Sequence, residues 1–267
     1  MGRPVIALLT DFGMRDHYAG AMKGVALGIC PDLTLVDISH DVPPHDVVAG
    51  ALELAACYRY FPSGTIFLVV VDPGVGSARR GIAGETGEYK FVGPDNGVLS
   101  VVFDETAPKR VVELTERRYA RPTVSRTFEG RDRFAPAAAW LAKGVELSAL
   151  GRPAGPLHRL ELPRPRVESD VIAGEVLRVD RFGNLITNID RKTFEKLGGV
   201  EQAHALEIGI GPHQVSKVVS TYADASAGEI CALFGGSDHL EIAANGASAA
   251  SLLDLGRGAA VYVARRA

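Results

Sequence analysis

Between Ile66 and Val71 every side chain is apolar, and most are β-branched. That pattern suits a strand buried on both faces, as in a parallel sheet. The run ends at Asp72, followed at once by Pro73-Gly74-Val75-Gly76. Proline removes a ladder donor, and the glycines accept positive φ or a close backbone approach. Asp72 therefore falls at the carboxyl end of a central strand, the end where open α/β sheets hold ligands. Arg79 lies a short turn later and can swing back to hold Asp72 ionised. The plainer alternative is a strand-capping Asp in a tight turn.

The same pattern recurs along the first half. Pro4–Thr10 reads as a strand ending in Thr10-Asp11-Phe12-Gly13, with Asp16 and Tyr18 close behind. A helix follows from Ala19 to Ile29, then a strand over Leu33–Ile38 that ends in Ser39-His40-Asp41. A second helix runs to Tyr60, and a strand over Tyr89–Val92 leads into Gly93-Pro94-Asp95-Asn96-Gly97. Alternating strands and helices with polar loops after the strands predict an α/β domain with a mostly parallel central sheet. Phe128-Glu129-Gly130-Arg131-Asp132-Arg133-Phe134 precedes an Ala-rich helix. Charges packed between phenylalanines at a helix start suggest a site loop, or a capped helix with a surface ion pair.

The stretch after Gly151 is proline-rich and lacks apolar periodicity, so it reads as a linker. Beyond it, short strands over Val171–Val179, Leu206–Ile210, Glu229–Phe234, Leu240–Ala243 and Ala259–Ala264 predict an all-β, barrel-like domain. The expected organisation is an N-terminal α/β domain over 1–150, a linker over 151–169 and a C-terminal β domain over 170–267. In the second domain Asp180-Arg181-Phe182-Gly183-Asn184, Gly235-Gly236-Ser237-Asp238 and Ala244-Asn245-Gly246 are candidate site loops. Each alone is also an ordinary hairpin turn.

Composition narrows the function classes. A net charge of -3 and pI near 6.2 give nucleic acid no bulk electrostatic support. No apolar run reaches membrane-spanning length, and the N-terminus shows no secretory pattern, so a cytoplasmic protein is expected. Cys30, Cys57 and Cys231 lack metal-ligand spacing and read as buried thiols. Dinucleotide fingerprint, P-loop, nucleophile elbow and zinc-protease motif are all missing. The strand-end acids Asp11, Asp37, Asp72 and Asp95 could hold a divalent metal, but no His cluster joins them. Acids of this kind also accept hydrogen bonds from ribose hydroxyls, while Phe and Tyr stack on a base.

Taken in order, Thr10-Asp11-Phe12-Gly13, Val71-Asp72-Pro73-Gly74-Val75-Gly76 with Arg79, Gly93-Pro94-Asp95-Asn96-Gly97, Thr127-Phe128-x-Gly130-Arg131-Asp132, Asp180-x-Phe182-Gly183-Asn184 and Leu240-Glu241-Ile242-Ala243-x-Asn245 resemble the S-adenosylmethionine hydrolases. These are also called hydroxide adenosyltransferases, and they are related to the fluorinating and chlorinating enzymes. The resemblance covers essentially the whole chain. It implies hydrolysis of S-adenosyl-L-methionine to adenosine and L-methionine, without metal or cofactor, by a homotrimer with sites between subunits.

Carried over to this chain, Asp72 and Arg79 resemble two members of an Asp-Arg-His set that polarises water. Asp11 resembles the ribose-binding acid, and Asp16 and Phe128 are further substrate-binding residues that the resemblance implies. Asp180 and Asn184 resemble nucleoside and methionine contacts, Phe182 the base-packing ring, and Ala244 with Asn245 the adenine-reading strand end. Ser237 and Glu241 fall on the methionine side. The chain departs from the family at Glu129, where the family has histidine. There Glu129 is either a general base or an ion-pair partner of an arginine. Gly130 fits the hydrolases, because the fluorinating relatives carry a halide-contacting serine at that position. Two alternatives stay open: a non-catalytic protein binding adenosine or S-adenosylmethionine, and halide-dependent adenosyl transfer.

Overall fold

The computed structural model describes residues 2–200 and 205–266. Among them no helix is long and apolar enough to cross a membrane. The chain divides into two compact units, Met1–Leu160 and Glu161–Ala267.

Unit 1 is built on six strands: β1 (Val5–Thr10), β2 (Thr34–Ser39), β3 (Ile66–Val70), β4 (Gly81–Thr86), β5 (Tyr89–Pro94) and β6 (Arg110–Glu113). Their order is β2-β1-β3-β5-β4-β6. β1 pairs in parallel with β2 and β3, and β3 in parallel with β5. Only β4 runs against its neighbours. Four helices flank the sheet: α1 (Tyr18–Ile29), α2 (Val47–Cys57), α3 (Ser100–Glu105) and α4 (Ala135–Ala142).

β3 has the two-faced burial its sequence predicts, because alternate side chains feed two separate cores. Ile66, Leu68 and Val70 pack with Met22 and Ala26 of α1 and Ala138 of α4. Phe67, Val69 and Val71 pack with Leu54 of α2 and Val102 of α3. Each such side chain contributes about 1.5–3 kcal/mol relative to exposure, so the position of Asp72 just beyond β3 is rigidly set. The apolar stretch around Val98–Phe103 is helix α3 rather than a strand, since Gly97 and the Asn96 side chain turn the chain into it.

The proline-rich segment is fastened to unit 1 as far as Leu160. Pro153 bridges Val112. Arg80 Nη2 donates to the Pro156 carbonyl at 2.5 Å, and His158 N donates to Asp95 Oδ1 at 3.0 Å. Leu160 N donates to Ser100 Oγ at 3.0 Å.

Unit 2 is an antiparallel sheet of eight strands. They are β7 (Arg166–Glu168), β8 (Val171–Val179), β9 (Leu185–Asp190), β10 (Leu206–Ile210), β11 (His213–Val215), β12 (Ile230–Phe234), β13 (His239–Ala244) and β14 (Ala260–Arg265), with short helices α5 (Arg191–Phe194) and α6 (Ala249–Leu253). The order is β11-β10-β14-β8-β9-β13-β12, with β7 paired to β8. The residues after β11 close most of the ring: Ala232 N on β12 donates to the Lys217 carbonyl, and Val219 N to the Ala232 carbonyl, both at 2.9 Å. Ile172, Leu185, Ile208, Ile242 and Val263 point inward to one core. The fold is thus an N-terminal α/β unit and a C-terminal barrel-like β unit, as the sequence predicts.

Candidate active site

At the carboxyl end of β3 the Pro73–Gly76 turn brings Arg79 back over Asp72. Arg79 Nε donates to Asp72 Oδ1 at 2.9 Å, and Arg79 Nη2 donates to Asp72 Oδ2. Gly76 makes the turn possible: its φ is +76°, and a Cβ there would run into the Arg126 carbonyl oxygen. The same Nη2 lies 2.6 Å from Glu129 Oε2, while Arg133 Nη2 lies 3.7 Å from Glu129 Oε1. The side chains of Asp72, Arg79 and Glu129 are only 5, 9 and 10 % exposed. Phe134 lies beneath the guanidinium, its ring centre 5.2 Å from Arg79 Cζ.

Burial pushes the Asp72 carboxyl above the ordinary aspartate range; Arg79 pulls it down, and Glu129 adds to the rise. Arg79 thus acts in the expected direction, but removal from water outweighs it in the net shift. Burial also favours loss of the Arg79 proton, but Asp72 and Glu129 outweigh it and raise the guanidinium. We take the pair as ionised at neutral pH, because a guanidinium keeps its proton and here donates two hydrogen bonds to one carboxylate. Glu129 Oε2, although close to Arg79, has no aligned hydrogen bond among the described residues. It is a buried acceptor with capacity to spare.

Glu129 is set by a five-residue π-helical turn, Gly130–Phe134, that runs into α4. Within it Asp132 is fully buried. Its carboxylate accepts from Ser125 N at 2.9 Å and from Arg131 Nε at 2.7 Å. Burial raises Asp132, but Arg131 and Ser125 outweigh that and hold it below the ordinary range. It thereby fixes the strand of chain from Ser125 to Phe128.

These groups border a cavity of about 570 Å³ lined by Asp11, Phe12, Tyr18, His45, Asp72, Phe128, Glu129 and Gly130, among others. Arg79 is not in the lining; it sits behind the two carboxylates and holds them. Asp11 Oδ2 accepts from His45 N at 2.8 Å. Phe12, Tyr18 and Phe128 form an aromatic trio with centroid distances of 5.1 to 6.0 Å, Phe128 meeting both other rings edge-to-face. Asp16 is exposed and does not border the cavity. Phe12, Tyr18 and His45 line the cavity without standing out as site residues in the sequence. Phe12 lies inside the Thr10–Gly13 motif and Tyr18 close behind it; His45 is revealed only by the pairing of β1 with β2. The strand-end acids Asp37 and Asp95 serve local bonds instead, with Lys23 and with Arg80.

In unit 2 the Asp180–Asn184 turn joins β8 to β9. Asp180 Oδ1 accepts from Phe182 N at 2.9 Å and Asn184 N at 2.8 Å, and Asp180 Oδ2 accepts from Asn184 Nδ2 at 2.9 Å. Gly183 has φ +85° and packs on Ser248 where no Cβ would fit. Phe182 is 78 % exposed, a large apolar ring without cover in the single chain. Ala244 and Asn245 lie at the same end of β13 as this turn, since Ile242 pairs with Leu185. Asn245 Nδ2 donates to the Ala225 carbonyl at 2.7 Å. Glu241 is buried on β13 and accepts from Tyr222 Oη at 3.0 Å. Burial pushes Glu241 up, and burial and Glu241 together push Tyr222 up to about 12. Ser237 precedes β13, at the opposite end from Asn245, roughly 20 Å away along the strand. The structure therefore groups Asp180, Phe182, Asn184, Ala244 and Asn245, and leaves Ser237 apart.

Residues 6–151 match the N-terminal domain of the SAM hydroxide adenosyltransferases, and residues 174–262 match the C-terminal domain. A protein named (R)-S-adenosyl-L-methionine hydrolase from Salinispora tropica is 39% identical, with 94% of each chain covered. Its namesake from Thermus thermophilus is 38% identical, covering 96% of this chain and 97% of the relative. A fluorinase from Actinoplanes sp. is 31% identical, covering 99% and 98%. A solved structure of an uncharacterized conserved protein from Thermotoga maritima superposes with a TM-score of 0.92 at 36% identity, covering 97% of this chain and all of that one. With both family domains matched in order and full-length relatives at this identity, the chain belongs to the SAM hydroxide adenosyltransferase family.

Proposed function

We propose that this protein hydrolyses S-adenosyl-L-methionine to adenosine and L-methionine by attack of water at C5′. The observation that carries the reading is the pair of buried carboxylates, Asp72 and Glu129, held to one cavity by one guanidinium. The hydrolases among its relatives, matched over nearly their whole length, supply the reaction.

The sulfonium already makes methionine a good leaving group, so no acid is needed to expel it. The C5′–O bond forms as the C5′–S bond breaks, and the electron pair leaves with neutral methionine sulfur. Catalysis is then mainly the holding of one water in line with the breaking bond, away from bulk solvent. In our reading Asp72 accepts one hydrogen bond from that water, and the Glu129 carboxylate accepts the other. Glu129 takes the proton as the new bond forms. Arg79 keeps the two carboxylates close while limiting their repulsion. The carboxylates of Asp11, Asp72 and Glu129 at the cavity wall suit a cationic sulfonium.

Asp11 is read as the ribose-binding acid, with Phe128 and its aromatic neighbours against the nucleoside. In unit 2 the Asp180–Asn184 turn with Phe182, Ala244 and Asn245 is read as contacting the nucleoside, and Glu241 as facing the methionine ammonium. We further propose a cytoplasmic homotrimer that uses no cofactor beyond its substrate. The exposed Phe182, with Val167, Val171 and Val179 at about 40 % exposure, supports burial against another copy. The three free thiols suit a reducing compartment.

The test is incubation of the pure protein with S-adenosylmethionine in oxygen-18 water, with products separated by chromatography. Adenosine labelled at the 5′ oxygen, in step with methionine, is the expected result. Binding without turnover would replace the hydrolase with a sensor. A 5′-halogenated nucleoside formed in chloride or fluoride would make it a halide transferase.

A further inference from the structure

Behind Asp11 lies a buried polar chain that the reaction does not use directly. His40, at the end of β2, has a side chain only 1 % exposed, and Thr10, at the end of β1, is fully buried. Thr10 Oγ1 and His40 Nδ1 are 2.8 Å apart. On the other side of the ring, His40 Nε2 lies 3.1 Å from Asp37 Oδ1, near enough for charge attraction though out of line for a hydrogen bond. Asp37 in turn accepts from Lys23 Nζ at 2.6 Å. Neither Thr10 nor His40 borders the cavity.

One assignment of the hydrogens suits the chain. Thr10 Oγ1 accepts from Phe12 N at 3.3 Å, so its own proton needs an acceptor. His40 Nδ1 is that acceptor when the ring carries its proton on Nε2, facing the Asp37 carboxylate. This is the arrangement in which an outer carboxylate selects the tautomer of an imidazole. A buried hydroxyl and a buried ring are costly unless bonded in this way.

The same two residues tie together the two loops that frame Asp11. Gly13 N donates to the His40 carbonyl at 2.7 Å, and Val42 N donates to the Thr10 carbonyl at 3.4 Å. Five residues after His40, His45 turns its N–H onto Asp11 Oδ2 and adopts a left-handed φ of +68° to do so. A non-glycine residue in that region is held there by its surroundings. Asp11 Oδ1 accepts no hydrogen bond among the described residues and stays available to a ligand.

We propose that Thr10 and His40 are positioning residues that aim the Asp11 carboxylate at the ribose hydroxyls of the substrate. This rests on the reading of Asp11 as the ribose-binding acid. Neither residue touches the ligand; each acts by fixing the backbone on one side of Asp11.

The experiment measures the affinity ratio of the whole protein for adenosine over 2′-deoxyadenosine and 3′-deoxyadenosine by calorimetry. The wild type is expected to favour adenosine about tenfold or more, the effect of a hydrogen bond to a charged group. Thr10→Val, which keeps shape and removes the hydroxyl, and His40→Gln are expected to reduce that ratio to about threefold or less. Thr10→Ser is expected to keep it. A merely structural role would weaken all three nucleosides alike and leave the ratio unchanged, which overturns the proposal. If His40→Gln does not fold, Thr10→Val decides alone. Asp11→Asn separates the two levels. If it leaves the ratio intact, the reading of Asp11 falls and the proposal with it. If it abolishes the ratio while Thr10→Val keeps it, only the positioning proposal falls.

Discussion

Arg79 Nη2 stands 2.6 Å from Glu129 Oε2 in a site where both side chains are about nine-tenths buried. The contact is compatible with both roles proposed for Glu129. Glu129 is an ion-pair partner of arginine and also a wall of the cavity, so pairing with Arg79 does not withdraw it from the water.

Glu129→Gln keeps the shape and removes the base. Its kcat is expected to fall roughly a hundredfold or more, with adenosine affinity little changed. Glu129→His restores the residue that the family pattern carries there, and it is expected to keep turnover. Steady-state kinetics on the two variants, beside adenosine calorimetry, check both. Unchanged kcat in Glu129→Gln would leave Glu129 as an ion-pair partner alone.

Burial raises Asp72, and an ionised Asp72 is the form that accepts from water. As pH falls through the raised value the acceptor is lost, so activity falls on the acid side. The acid limb of kcat/KM is expected above the ordinary aspartate range of about 3.9. Asp72→Asn is expected to lower kcat more than it weakens adenosine binding. A variant that only raises KM would make Asp72 a substrate ligand.

Gly76→Ala places a side chain against the Arg126 carbonyl at a positive φ. A destabilisation of about 1–3 kcal/mol is expected. Urea unfolding of the two proteins at one pH measures it, and a difference near zero would mean that the turn relaxes freely.

Phe182 is largely uncovered in one chain. Light scattering at assay concentration is expected to give the mass of three chains. Phe182→Ser is expected to shift the population toward smaller species if the ring lies in the contact. A monomer mass for the wild type would refute the trimer.

How much could be read beforehand varied with the kind of signal. β3 and its terminal Asp72 were legible because a continuous β-branched run ends abruptly at Pro73. Val171–Val179 and Leu206–Ile210 were legible for a different reason, short apolar stretches bounded by turn residues. β4 escaped notice because Gly81 and Gly84 dilute its apolar pattern. Gly84 is required there by the ring of Phe103, a demand of tertiary packing that local sequence does not record. β9 was hidden by its polar Thr187, Asn188 and Asp190, two of which are buried and bonded. At the site, Asp72, Arg79 and Glu129 lay within quotable motifs. His45 did not, because its contribution is a backbone N–H, which any residue but proline possesses.

The π-helical turn after Glu129 has a consequence for how such a site changes over time. A π-turn holds one residue more than the α-helical turn it replaces. Deleting one residue between Gly130 and Phe134 would restore the α-helical repeat, and because the wider turn had absorbed that residue, position 129 would keep nearly its present direction from the axis. Exchanging the side chain at 129 leaves that register untouched. The turn is thus permissive toward chemical identity and absorbs a residue of length, and glutamate can occupy a histidine's place without any rebuilding of the scaffold around it.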